Sequence, residues 1–342
     1  MGGARRSYAV AAGCATAFAA LVTLAACGNG GAGDTSSESP APDPTPSKTV
    51  ESETAAPASL IPVGTGPVGL AADRAGGAWV VLSGDDRVVH LASDATEPDA
   101  TAEVPGTPLR AVVSDGALWV TAFRGEEVFR VDPATGKVTD RVETGAGPEG
   151  ITAGFGSIWV VEQDAGTLAR IDPATRQVVG RVRIGEGARL VLAGRSALWV
   201  AHFATDRVLR IDPRTLAVRK SPKLCSGPQG MAEVGRRLWV ACTFDDLVVP
   251  LDTGTLAPAE PVAVTGLPDP AVADSGRVLV LAEQGPRLVV LDATTGEVLE
   301  EQELGAAPAL YDSANLDLVV SGGNVWATSY TEDGVHRVPL PE

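Results

Sequence analysis

From about residue 60 onward, apolar residues fall in short alternating or continuous runs that are too brief for helices and of the right length for strands. Runs such as Ile158-Trp159-Val160 and Leu168-Ala169-Arg170-Ile171 are separated by Gly and Asp-Pro pairs that suit tight turns. The pattern repeats. Trp79, Trp119, Trp159, Trp199 and Trp239 stand 40 residues apart, Leu279 holds the next position, and Trp326 follows after a seven-residue insertion. In the third unit the strands are expected at about 150–156, 157–163, 167–172 and 177–184. Seven such units predict an all-β protein, a seven-bladed β-propeller with four-stranded blades of about 40 residues. The repeated Trp is then a core residue between blades. The last unit stops after three strands, whereas Ser59-Leu60-Ile61-Pro62-Val63-Gly64 precedes the first unit and reads as a fourth strand. Pairing the two closes the ring and removes an open edge.

The first 58 residues have a different texture. Arg5 and Arg6 precede a small-residue apolar run from about Tyr8 to Ala26, the pattern of an export signal over 1–26. Leu24-Ala25-Ala26-Cys27 resembles the bacterial lipobox, which implies cleavage before Cys27 and its lipidation. Residues 27–58 are rich in Gly, Ser, Pro and acid, with too few large apolar side chains to offset their ordering entropy, and read as a tether. The propeller occupies 59–342. The expected address is the outer face of the cytoplasmic membrane, held there by Cys27.

Composition narrows the partners. A net charge of −16 repels polyanions, so nucleic acid is excluded. Cys225 and Cys242 are expected to form a disulfide in an oxidising compartment. A monomer is expected.

In a propeller, the loops entering each blade and the loops after each second strand share one face around the channel mouth. The residue after each Gly-Pro-like pair is Val68, Leu109, Glu149, Arg189, Gln229, Asp269 or Ala309, so polar side chains gather on blades three to six. Glu162, His202 and Glu283, at the ends of second strands, are expected to join them in a ligand-binding mouth. The plainer alternative is that Arg189 pairs with Glu149 of the adjacent blade. His90 shares its register with Arg130, Arg170 and Arg210 and is expected on an outer face. The Asp-Pro-Ala-Thr runs are expected to form Asp-initiated turns on the opposite face. Three scattered His give no zinc motif, and there is no P-loop, Gly-x-Ser-x-Gly elbow or calcium ladder.

The Gly-Pro-x-Gly-Ile/Leu, Leu/Ile-Trp-Val and Ile-Asp-Pro-Ala-Thr repeats resemble the YVTN-type and streptogramin-lyase-like seven-bladed propellers over about residues 59–342. The resemblance implies this fold and, for the lyases, His after some Gly-Pro pairs, Glu past the second-strand Trp, and a magnesium ion. Glu162 meets the second requirement, but none of the positions after Gly-Pro is His. The run Leu291-Asp292-Ala293-Thr294-Thr295-Gly296 resembles quinone-cofactor propellers, yet Leu299 and Glu300 stand where such proteins carry Trp. The expectation is therefore a tethered propeller that binds a small molecule, glycan or protein without catalysis or cofactor. The alternative is a lyase or hydrolase using Glu162, His202 or Glu283, with magnesium.

Overall fold

The computed structural model describes residues 58–305 and 316–341, so Cys27 and the stretches expected to be an export signal and a tether lie outside the described residues. Seven four-stranded antiparallel sheets follow one another along the chain, forming a seven-bladed β-propeller. The third blade has strands Pro148–Gly154, Ser157–Glu162, Thr167–Asp172 and Gln177–Arg183, within two residues of the expected bounds. Ring closure also follows the sequence. Ser59–Pro62 pairs antiparallel with Gly334–Pro339 and supplies the fourth strand of the seventh blade.

Each blade is apolar on both faces, so its side chains are buried only when a neighbour stands on each side. Among the described residues the core divides into seven clusters, one at each blade interface. Trp79, Trp119, Trp159, Trp199, Trp239 and Trp326 each sit in one of these interfaces and are at most 1% exposed. Leu279 fills the same place in the sixth blade.

The partner of each Trp across the second and third strands explains a second periodicity. Arg130, Arg170, Arg210 and Arg337 pair in register with Trp119, Trp159, Trp199 and Trp326, and each guanidinium lies 5.5–5.9 Å from the ring centre. A cation over an indole adds about 0.5–2 kcal/mol. His90 takes the Arg position opposite Trp79, but it is not a free outer-face residue. Its ring tilts onto Trp79, and its two nitrogens are held by Asp73 at 2.5 Å and Asp99 at 2.7 Å.

Asp132, Asp172, Asp212, Asp252 and Asp292 begin the turns between third and fourth strands, each accepting from the backbone N–H two residues on. These bonds hold the carboxyls of Asp132, Asp212 and Asp292 below the usual range and take Asp252 to about 2. Such turns lie at the end of the blade away from the channel mouth, as expected.

Trp159→Ala is expected to lose about 3–5 kcal/mol of stability, the usual cost of emptying a large aromatic site, measured as a lower urea midpoint. A loss under about 1 kcal/mol would contradict a role for the Trp in holding blades three and four together.

Candidate functional site

The channel is lined by the first strand of each blade. In blades one, two, three, five and six this strand carries a bulge: Pro148 pairs with Glu162 and Ile151 with Val160, so Glu149 and Gly150 together oppose Val161. Bulges re-aim side chains. Gly150 stands where adjacent inner strands come closest; its N–H donates to Arg189 O at 3.0 Å, and a Cβ there would lie 2.5 Å from that oxygen.

The structure brings Glu149, Arg189, Gln229, Asp269 and Glu283 together and buries them. Exposure is 2% for Glu149 and Gln229, 0% for Asp269 and 5% for Glu283, so these are not groups bathed in solvent at an open rim. Arg189 Nε and Nη2 both donate to Glu149 Oε1 at 2.9 Å, and the guanidinium lies 5.3 Å from the Phe203 ring centre. Burial opposes its charge, but Glu149, Asp269 and Glu283 outweigh burial and raise its pKa. Gln229 Nε2 donates to Thr243 Oγ1 at 3.3 Å, and that hydroxyl donates to Pro268 O at 2.9 Å. The expected Cys225–Cys242 disulfide is formed; it ties the loop entering blade five to the end of its second strand, one residue before Thr243. Closing a loop of this length stabilises by about 3 kcal/mol in the chain-entropy model.

Asp269 and Glu283 form a buried acid pair. Burial raises both proton affinities, and the Asp269 charge adds to the effect on Glu283, pushing it up to about 10 although Arg189 and Arg110 oppose it. Glu283 is therefore protonated at neutral pH.

Glu162 and His202 do not join this group. Both are the last residue of their second strand, one register position before Glu283, so alternation sets them on the other face of the blade. Glu162 accepts from Gly145 N at 2.7 Å, from Arg181 Nε at 3.0 Å and from the Thr167 hydroxyl, fixing the loop that enters blade three. The His202 ring lies over Gly185, and burial holds its pKa below the usual imidazole value.

Two further channel residues escaped the sequence reading. Arg110 stands in the Gly position of the Gly-Pro-x-Gly motif and is 6% exposed; its guanidinium donates to the carbonyls of Val68 and Leu316. Asp317 holds the same position in blade seven and accepts from Leu70 N and Leu318 N, both at 2.9 Å. Burial raises its pKa, with Arg110 pulling the other way. The equivalence is visible in the hydroxyls opposite them: Thr121 Oγ1 accepts from Arg110 N, and Thr328 Oγ1 from Asp317 N. Leu316, not Ala309, is thus the counterpart of Glu149. The extra residues of blade seven precede its first strand, and Ala309 lies outside the described residues. A non-Gly residue where the motif has Gly was the available signal.

The channel encloses a cavity of about 210 Å³ lined in part by Arg110, Gly150, Leu190, Gly230, Pro270 and Asp317. Above it, a mouth hollow of about 380 Å³ is lined by Leu109, Phe123, Glu149, Gln163, Arg189 and Phe203, among others. No group of three or more His, Cys, Asp or Glu among the described residues has metal-holding geometry. The residues present therefore do not fit the magnesium that the lyase resemblance implies.

Residues 124–338, more than half of the chain, match the family model described as outer membrane protein assembly factor BamB. The chain belongs to this BamB-like family. A comparison with curated proteins gives no match. Among solved structures, a streptogramin B lyase superposes with a TM-score of 0.71 at 15% identity, covering 83% of this chain and 97% of that one. A catalytically inactive virginiamycin B lyase from Staphylococcus aureus with quinupristin gives 0.71 at 16% identity, covering 83% and 99%. BamB from Moraxella catarrhalis gives 0.58 at 16% identity, covering 80% and 82%. At these identities the likeness is one of fold, and the streptogramin-lyase-like propeller read from the repeats is the fold that this BamB-like chain adopts.

The acid pair gives stability a definite pH dependence. Glu283 has a folded pKa far above its unfolded value, so its contribution is complete below about pH 4.5 and is lost as pH rises toward about 10. Melting temperature is expected to fall across that window in the wild type and to fall less in Glu283→Gln, which keeps the neutral form. Parallel profiles would contradict a protonated Glu283.

Proposed function

We propose that this chain is an exported propeller, tethered to the membrane through Cys27, whose channel mouth binds a small molecule without acting on it chemically. One observation carries the reading: Gln229 Oε1 and Glu283 Oε1 are buried with no hydrogen-bond partner, and the Asp269 carboxylate between them has no donor but the Glu283 proton. An unmet buried acceptor costs about 1–3 kcal/mol, so a cluster of them is a liability unless a ligand fills it. The hollow of about 380 Å³ beside them, lined by Glu149 and Arg189, has room for a small molecule or one sugar unit and not for a folded protein. The Cys225–Cys242 bond supports an oxidising, extracytoplasmic address, and the lipobox-like sequence at Cys27 supports the anchor.

A second reading has one observation behind it: a protonated Glu283 beside Asp269 is an acid next to a potential base, the arrangement of general acid–base chemistry. On that reading the chain degrades a compound related to those named for its structural neighbours. Disappearance of a streptogramin B antibiotic with the wild type, but not with Glu283→Gln, would establish it.

The binding role is tested by a thermal-shift screen of the full chain in detergent against sugars, amines, carboxylates and antibiotics. A native-state ligand raises the melting temperature, by about 2.7 kcal/mol of stabilisation at a hundred times its Kd. The expected hit is lost in Gln229→Leu and retained in Glu162→Gln, whose carboxyl is occupied by Gly145, Thr167 and Arg181. In cells, Cys27→Ser is expected to move the chain from the membrane to the soluble fraction. A hit unaffected by Gln229→Leu would put the site elsewhere.

A further inference from the structure

We infer that the ligand is a small organic cation, a primary amine or guanidine whose N–H groups enter between Gln229, Asp269 and Glu283. This rests on the binding role proposed above and names the class of molecule that fills it.

With the Glu283 proton directed to Asp269, the valences left over among Gln229, Asp269 and Glu283 are acceptors. Gln229 fixes the sense of the arrangement. Its amide nitrogen faces Thr243 Oγ1, whose own proton goes to Pro268 O, so the amide oxygen is presented as an acceptor, 2% exposed and without a partner. Asp269, with no exposure, lies on the next blade, and the only donor facing its carboxylate is the proton held by Glu283. The charges of Arg189 on blade four, Arg110 on blade two and Asp317 on blade seven all act on the Asp269 carboxyl.

The cationic side chains of the channel have work already. Arg189 is held by Glu149 and lies over Phe203, and Arg110 binds the Val68 and Leu316 carbonyls. An anion entering here would have to break these contacts while facing Glu149, Asp269, Glu283 and Asp317. A neutral polyol brings hydroxyl donors but also oxygens that need donors in return. An ammonium or guanidinium brings donors alone, matching what is missing. The charge of −16 draws cations toward the molecule before any contact forms.

The acid pair supplies a neutral exchange. Free, Glu283 carries its proton because two adjacent carboxylates cannot both ionise in a buried site. When a cation enters, the Glu283 O–H bond breaks, its proton goes to the buffer, and the ligand's positive charge takes the place of the proton. The charged groups facing Glu283, namely Asp269, Arg189 and Arg110, keep their states. One proton released per ligand makes affinity rise about tenfold per pH unit, up to the pKa of Glu283 or of the ligand.

Titration calorimetry of the full chain in detergent tests this with putrescine and agmatine as probes, and butanediol and succinate as their neutral and anionic counterparts. Both amines are expected to bind about tenfold more tightly at pH 8 than at pH 7. Buffers of different ionisation heat are expected to show about one proton released, while the diol and the diacid give no heat. Glu283→Gln is expected to abolish proton release and flatten the pH dependence, and Gln229→Leu to weaken both amines without changing the proton count. Should Glu283→Gln fail to fold, the pH and buffer series on the wild type decide the matter. Absence of amine binding, or amine binding without proton release, overturns the assignment. Binding of butanediol or succinate in place of the amines overturns it while leaving the mouth a binding site, whereas failure of the broader screen removes the binding role itself.

Discussion

A blade that is apolar on both faces cannot stand alone, and everything else in this molecule follows from that constraint. Each sheet buries its Trp or Leu only against the next sheet, so the chain must go on adding blades until the last meets the first. The junction is made by Ser59–Pro62, the earliest described strand, which pairs with the last strand of the chain. Closure therefore joins residues nearly three hundred positions apart. It also leaves the ring without an exposed apolar face, so each inner strand is held by neighbours on both sides and the channel becomes a rigid place on which to mount polar groups.

Rigidity is what allows the channel to hold charges at such low exposure. Isolated, each would cost several kcal/mol to bury. The chain offsets that cost in two ways. Arg189 meets Glu149 across adjacent blades, and Asp317 takes backbone N–H groups from Leu70 and Leu318. Asp269 and Glu283 face each other without a cation hydrogen-bonded to either, and the cost there is reduced instead by retaining a proton between them. Charge pairing and proton retention are different solutions to one problem, and only the second leaves lone pairs unmatched.

The fold was legible because its evidence is repeated: the 40-residue spacing, the strand-length runs and the Asp-led turns each recur often enough to outweigh any one exception. The site was legible only where it follows the repeat. Glu149, Arg189, Gln229 and Asp269 share one register position, and the structure brings them together. Glu162 and His202 were grouped with Glu283 because all three stand at the ends of second strands, but Glu283 is one register position further on, and the side chains of Glu162 and His202 serve the loops instead. Arg110 was overlooked because it occupies the motif's Gly position rather than its variable one. Asp317 was hidden by the seven-residue insertion, which shifts blade seven out of register until the strands themselves are seen.

The repeat thus contains two kinds of position. Those between blades pack into an interface, and a change there disturbs it; those in the channel meet the inner strands of nearby blades, and differ from blade to blade while the ring is kept. The two sides of the channel have used this freedom differently. Around blade one, Arg110 and Asp317 reach from either side to its backbone at Val68 and Leu70, so the polar groups there are matched by the protein itself. Around blades five and six, Gln229, Asp269 and Glu283 stand side by side with acceptors left over. A structural role alone would favour the first arrangement throughout, because it satisfies what it buries. The second is costly in isolation and becomes favourable when donors arrive from outside, and that difference between two sides of one ring is what the proposed binding role rests on.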